Sequence, residues 1–247
     1  MPASKTTSRS RRPAPPPLDT RGKILQAALA AFADHGFRGA STRDIAAAAG
    51  VNQGLITYHF AGKEALWQAA VDSIFATLRD ELGQRIEALE DVDPMSRLRA
   101  VMKHFVRFSA HHPELHRLMV EEGRHDSPRL KWLVDNHVRP LYEISTGLVR
   151  AAQKLGIAGN VAPLHLHYML VGAAAHVFTV APEVYRVTGI DPLDPEIVEA
   201  HGNALVEVLL DALMPTSTAG TGRRISEPES QGRSTVPASR TSRRRGT

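Results

Sequence analysis

A chain of 247 residues, 43% of them hydrophobic, can bury a real core in one large domain or two small ones. It has no cysteine, which excludes a disulfide framework and any thiolate metal site or nucleophile. No apolar run approaches the roughly 18 residues of a membrane span, and the N-terminus lacks the apolar region of a secretory signal, so a cytoplasmic protein is expected. The net charge of +4 is uneven: residues 1–18 carry +4, residues 215–247 carry +5, and residues 19–214 between them carry −5. Such basic tails suit non-specific contact with phosphates, and they equally suit solvated termini that keep a protein soluble.

Residues 1–18 are rich in Pro, Ser, Thr and Arg and are expected to be disordered, because they have little apolar surface to bury. Asp19 or Thr20 caps a first helix. Ile24, Leu25, Ala28, Leu29 and Phe32 then mark one face at helical spacing. Gly36 ends that helix and Phe37 folds back as an apolar lid. Ser41 and Asp44 form a capping box for a second helix, whose apolar face is Ile45, Ala46 and Ala49. Gly50 takes the left-handed conformation that closes a helix, Val51 plugs the turn, and Asn52 caps a third helix. There Ile56 and Phe60 face inward, and Gln53, Leu55, Thr57, Tyr58 and His59 face outward. Two short helices joined this way make a helix-turn-helix, with the second helix in position to read a DNA major groove.

Lys63 and Glu64 open a long fourth helix, with Leu66, Ala70, Ile74, Leu78, Leu82, Ile86 and Leu89 on one side. It runs to about residue 90, before Asp93-Pro94. Residues 95–111 carry Leu98, Val101, Met102, Phe105, Val106 and Phe108. His112-Pro113 and Ser127-Pro128 each restart a helix with proline in the first turn, where its missing N–H is harmless. Pro140, inside the second of these, is expected to kink it. Residues 162–181 form the most apolar helix, and Gly172 with Ala173, Ala174 and Ala175 lets another helix approach closely. A last helix covers 194–213. The whole reads as all-α, with about nine helices and no internal repeat. Residues 215–247 are expected to be disordered like the N-terminus.

The run from Thr20 to Leu66, TRGKILQAALAAFADHGFRGASTRDIAAAAGVNQGLITYHFAGKEAL, resembles the N-terminal domain of the TetR family of bacterial transcriptional regulators. Its markers are Ile24, Ala28, Phe32, Gly36, Thr42, Ile45, Ala46, Gly50, Val51, Tyr58, Phe60 and Lys63-Glu64. The resemblance implies a DNA-binding domain at 19–66 and a helical ligand-binding and dimerisation domain at 67–214. It implies a homodimer on a palindromic operator, most members being repressors released by a small molecule. It places Thr42, Arg43, Tyr58, His59 and Lys63 on phosphates, with Arg43 also within reach of a guanine edge. It places Gln53 on a base edge, where an amide suits adenine, and Leu55 and Thr57 on thymine methyls. Asn52 belongs to the DNA-facing set, although capping alone explains it. One departure stands out. The family commonly has leucine followed by tyrosine where this chain has Ile56 and Thr57, and the shorter Thr57 leaves that contact open.

An effector pocket in a helical bundle is lined by apolar and aromatic groups with a few polar ones. The candidates are His104, Phe105, Phe108, Met119, Trp132, His137, Tyr142, Tyr168, Met169 and His176. They favour a mainly apolar effector, since no pair of charged residues forms a clamp. Dimerisation is expected through 162–181 and 194–213. No metal site is expected: His111, His112, His116, His165 and His167 include pairs two apart that point to different helix sides. No cofactor and no catalytic residue is expected, because nucleophile, phosphate-loop and HExxH motifs are missing. The alternative is an architectural DNA binder that uses the basic tails and takes no ligand.

Overall fold

The computed structural model describes residues 19–154, 156, 159 and 161–213. Both tails, expected to be disordered, lie outside the described residues. Helix α1 (Thr20–Gly39) starts on Asp19, whose carboxylate accepts the Gly22 N–H at 2.6 Å. It buries Ile24, Leu25, Ala28, Leu29 and Phe32, the stripe that the spacing predicts. At Gly36 the backbone turns left-handed (φ +66°). That breaks the regular helix, and Phe37 turns back to stack on Phe32 with ring centroids 5.9 Å apart. A side chain at Gly36 is also crowded out, since a Cβ there would meet the Glu121 carboxylate at 3.2 Å.

Helices α2 (Thr42–Ala48) and α3 (Gln53–His59) bury Ile45, Ala46 and Ile56 against α1. Helix α4 (Lys63–Glu87) is 25 residues long, or roughly 37 Å at 1.5 Å per residue. Its buried residues, Leu66, Trp67, Ala70, Val71, Ile74, Phe75 and Leu78, lie in the two thirds nearest the helix-turn-helix. Helices α5 (Pro94–His111), α6 (Pro113–Gly123) and α7 (Pro128–Leu133) each begin with proline in the first turn. Asp93 caps α5 and Ser127 caps α7 through backbone N–H groups. A π turn (Val134–Val138) joins α7 to α8 (Arg139–Lys154) without a break. Pro140 supplies the reason: it offers no N–H to the Asn136 carbonyl and its ring crowds that group. The helix widens just before it, and the Arg139 N–H reaches back to the Val134 carbonyl.

Helices α9 (Pro163–Thr179) and α11 (Pro195–Leu213) close the bundle. Between them lies α10 (Ala181–Thr188), bent 71° from α9. This short helix was not among the nine expected, because so short a polar–apolar stretch has little periodicity. The described residues contain helices and no strand, in keeping with the all-α reading, and no single helix among them is long and apolar enough to cross a membrane.

The buried side chains form two clusters. The larger joins α1, α2, α3 and the near two thirds of α4 to Phe108 of α5, Leu115 and Leu118 of α6 and Leu133 of α7. The smaller joins Met102 and Val106 of α5 to α9 and α11. Phe105 packs against both. The small-residue stripe of α9 divides between two environments: Ala174 and Ala175 are buried within the protomer, whereas Ala173 faces outward.

His137, on the π turn, is buried at 3% exposure. Its ring stacks on Phe75 with centroids 4.6 Å apart. Nε2 lies 2.9 Å from the Asp72 carboxylate and Nδ1 lies 3.1 Å from the Arg79 guanidinium, both on α4. Burial pushes this imidazole below its ordinary pKa, Asp72 opposes that, and Arg79 adds to it. Burial lowers His116 and His167 in the same direction. A histidine depressed in the folded state takes up its proton more readily when unfolded, so stability is full above the unfolded value of about 6.5 and falls as pH drops below it. Thermal melts are therefore expected to shift downward between pH 7.5 and pH 5.5. His137→Phe, which keeps the ring and removes the titration, is expected to shrink that shift; an unchanged shift would exclude His137 as a main source.

Candidate nucleic-acid interface

The reading surface is assembled by three helix starts and two glycine turns. Ser41 sits in extended backbone, and its hydroxyl accepts the Asp44 N–H at 3.4 Å. Gly50 takes φ +68°, which lets the chain reverse after α2. Asn52 caps α3 by accepting the Gly54 N–H at 2.8 Å. Gly54 has a local reason to be glycine: a Cβ there would stand 3.2 Å from the capping oxygen of Asn52. Gly62, at φ +134°, leads into α4 with no side-chain cap on its first turn, so the positive end of a long helix faces out uncapped.

These turns bring Thr42 and Gln53 together. The Gln53 amide lies 3.5 Å from the Thr42 hydroxyl, at the outer limit of a hydrogen bond. A groove of about 600 Å³ runs past both and is also lined by Thr57, Gly62 and Lys63. Arg43, Asn52, Gln53, Leu55, Thr57 and Tyr58 are exposed, and Thr42, His59 and Lys63 are half-buried. Tyr58 is 81% exposed with its ring edge-on to His59 at 5.0 Å. Ile56 and Phe60 point inward. The outward alternation expected for α3 is the one observed.

Lys63 is less free than its place at the start of α4 suggests. Its ammonium donates to the Arg38 carbonyl at 3.3 Å and lies 4.9 Å from the centre of the Phe37 ring. The same ring carries the Arg129 guanidinium at 4.0 Å. Arg129 in turn reaches the buried Glu122 at 3.0 Å. A cation–π contact of this kind is worth about 0.5–2 kcal/mol, more when desolvated. The corner after α1 is thus tied to α6 and α7 through one aromatic ring. The sequence marks Phe37 as a lid but marks Glu121-Glu122 as a solvated pair, whereas Glu122 is buried against Arg129, because nothing local marks a contact between residues so distant in the chain.

Of the ten proposed pocket residues, Phe108 and His137 are buried, and His104, Phe105, Met119, Trp132 and Tyr142 are half-buried. Trp132 packs edge-on to Trp67 at 5.5 Å and to His137 at 5.2 Å. His104 faces Glu81 at 3.1 Å, and its pKa is lowered chiefly by burial, with Glu81 opposing. Tyr142 stands edge-on to His167, whose Nδ1 lies 2.7 Å from the Ser145 hydroxyl. Tyr168, Met169 and His176 are exposed. They lie on the outward face of α9, with Tyr168 and Met169 60% and 56% exposed. No group of three or more metal-ligating side chains gathers among the described residues.

Comparison with known proteins gives a consistent picture. Residues 24–70 match the family described as bacterial regulatory proteins, tetR family. Residues 94–209 match its tetracyclin repressor-like C-terminal domain, and the two matches together span about two thirds of the chain. The HTH-type transcriptional regulator RutR of Escherichia coli (strain K12) is 27% identical over 192 residues, covering 78% of this chain and 89% of RutR. The HTH-type transcriptional repressor KstR2 of Mycobacterium tuberculosis is 31% identical over 125 residues, or 46% of this chain and 62% of KstR2. Among solved structures, AibR in complex with isovaleryl coenzyme A and operator DNA superposes with a TM-score of 0.63 at 18% identity. It covers 79% of this chain and 100% of AibR, a likeness of fold.

The Arg129 node generates a stability test. Arg129→Met leaves the Glu122 carboxylate buried without its partner, at a cost of roughly 3 kcal/mol. Urea denaturation is expected to show that loss, and adding Glu122→Gln is expected to recover most of it. An Arg129→Met chain as stable as the parent would mean that the node holds nothing together.

Proposed function

The chain belongs to the TetR family of bacterial transcriptional regulators, and from that premise we propose that it is a repressor acting as a homodimer on a palindromic operator. The observation that carries this reading is the outward face of α3, where Gln53, Leu55, Thr57 and Tyr58 stand exposed beside Thr42 at the start of α2. In this reading residues 19–66 are the DNA-binding head and residues 67–214 the regulatory body. Gln53 reads a base edge, and Leu55 and Thr57 meet thymine methyls. Thr42, Arg43, Tyr58, His59 and Lys63 hold phosphates, the uncapped start of α4 adding positive potential. Asn52 sets the angle of α3. The protein works in the cytoplasm, as a regulator and not as an enzyme.

The dimer forms through α9 and α11. Tyr168, Met169, Ala173 and His176 on α9 and Ala200, Ala204 and Val208 on α11 are all exposed in the protomer. Val208 is 68% exposed in the protomer, which fits a surface meant for a second copy better than one meant for water. The effector is small and mainly apolar. It binds among His104, Phe105, Phe108, Met119, Trp132, His137 and Tyr142, and release follows when its binding shifts α4 relative to the head. The complex of AibR with isovaleryl coenzyme A supports an effector with an acyl part.

Selection from random duplexes with the purified dimer is expected to return a two-fold site. Gln53→Ala is expected to lose about 1–3 kcal/mol of discrimination at one base pair per half-site. Tyr58→Phe is expected to weaken all sequences alike, by about 1 kcal/mol. Recovery of no preferred sequence would overturn the reading, and equal effects of the two variants on discrimination would overturn the division of roles. Val208→Glu is expected to convert the dimer to monomer in sedimentation and to abolish operator binding with the fold retained by circular dichroism.

A further inference from the structure

Helix α10 is the one described helix with no buried residue. Only Ala181 and Val184 are half-buried. Tyr185 and Val187 are 58% and 78% exposed, and Ile190 and Leu193 in the following turn are 48% and 43% exposed. An eight-residue helix has too few hydrogen bonds to offset its own nucleation cost in water, and ordinarily owes its stability to packing. The short helices α2 and α3 obey that rule through Ile45, Ala46 and Ile56; α10 does not.

The excursion is nevertheless held in a defined shape. Gly189 ends it in the left-handed conformation (φ +74°), its N–H donating to the Tyr185 carbonyl at 2.8 Å. The Thr188 hydroxyl accepts the Ile190 N–H at 3.1 Å, and the Asp191 carboxylate accepts the Leu193 N–H at 2.9 Å. Pro192 is fully buried and anchors the base. The segment is thus preorganised by local bonds while its apolar side chains meet no covering surface among the described residues.

We propose that α10 and the turn after it form an arm that packs on the second subunit of the dimer, with Tyr185, Val187 and Ile190 as its contacts. The inference rests on the α9–α11 dimer reading and extends it. Helix α10 is the connection between those two helices, its apolar side chains are exposed as the outward positions of both are, and a two-fold interface built on them uses the same arm twice. The chain's own tails are poor candidates to cover it. Residues 214–247 hold only Met214, Ile225 and Val236 as larger apolar side chains, and residues 1–18 only Met1 and Leu18.

Because the chain has no cysteine, single thiols report coverage cleanly. Val187→Cys and Ala204→Cys chains, native and full length, are labelled with a maleimide, and each rate is compared with that of the same chain unfolded in urea. The arm predicts that native Val187→Cys labels at least about tenfold more slowly, since thiol reaction follows access. It also predicts that protection disappears on dilution in step with dimer dissociation in sedimentation, and that Tyr185→Glu raises the dimer dissociation constant at least about tenfold while leaving the protomer folded. Protection at 204 with none at 187 overturns the arm and leaves the α9–α11 dimer standing. A dimer with protection at neither position overturns both. Protection at 187 that survives where sedimentation gives monomer overturns the arm in favour of coverage by the chain's own tail.

Discussion

The buried face of α4 is the constraint on which the rest of the molecule depends. Leu66, Trp67, Ala70, Val71, Ile74, Phe75 and Leu78 are nearly inaccessible, and they share one core with α1 and with Phe108, Leu115, Leu118 and Leu133 of α5 to α7. Full burial of side chains of this size contributes about 1.5–3 kcal/mol each, so the helix-turn-helix and the near end of the regulatory body are parts of one hydrophobic core. The head cannot change its angle to the body without disturbing that core. A rigid helix that begins at the reading surface and is packed along two thirds of its length suits a device in which a ligand's binding energy is spent on shifting one element.

The polar groups around this core act at its margins. Arg129 lies over Phe37 and pairs with Glu122, and Lys63 reaches the Arg38 carbonyl past the same ring. His137 spans Asp72 and Arg79 on α4 from a turn that Pro140 forces open. Both nodes join α4 or the corner before α2 to the segment 122–139. They are the directional contacts at a junction otherwise made of non-directional packing. Salt bridges elsewhere are mostly half-exposed, such as Arg117 with Asp34, and contribute little by comparison.

Much of the reading surface could be foreseen from local chemistry. A cap needs only the residue and its next few neighbours, so Asp19, Ser41, Asn52, Asp93 and Ser127 were readable as helix starts, and Gly36 and Gly50 as reversals. The outward set on α3 followed from two inward positions, Ile56 and Phe60. The face of α9 could not be foreseen, because a helix apolar all round has no periodicity to assign it. Hence the spacing does not separate Tyr168, Met169 and His176, which face out, from the half-buried pocket candidates, nor Ala173, which faces out, from Ala174 and Ala175, which turn inward. The extra helix α10 was missed for a related reason: with no buried side chain it has no stripe to betray it.

The amino-acid sequence by itself determined the all-α class, the helix-turn-helix and its caps, the breaks at prolines and glycines, and the family. All of these are written in residue types and short spacings, where backbone sterics and local hydrogen bonds decide the outcome. Only the tertiary structure decided that the head shares its core with α6 and α7, that Arg129 closes on Phe37, that His137 bridges α4, and which side of α9 is left outside. These depend on which surfaces meet after the chain has folded back on itself, and packing of that kind leaves no trace in the spacing of neighbours.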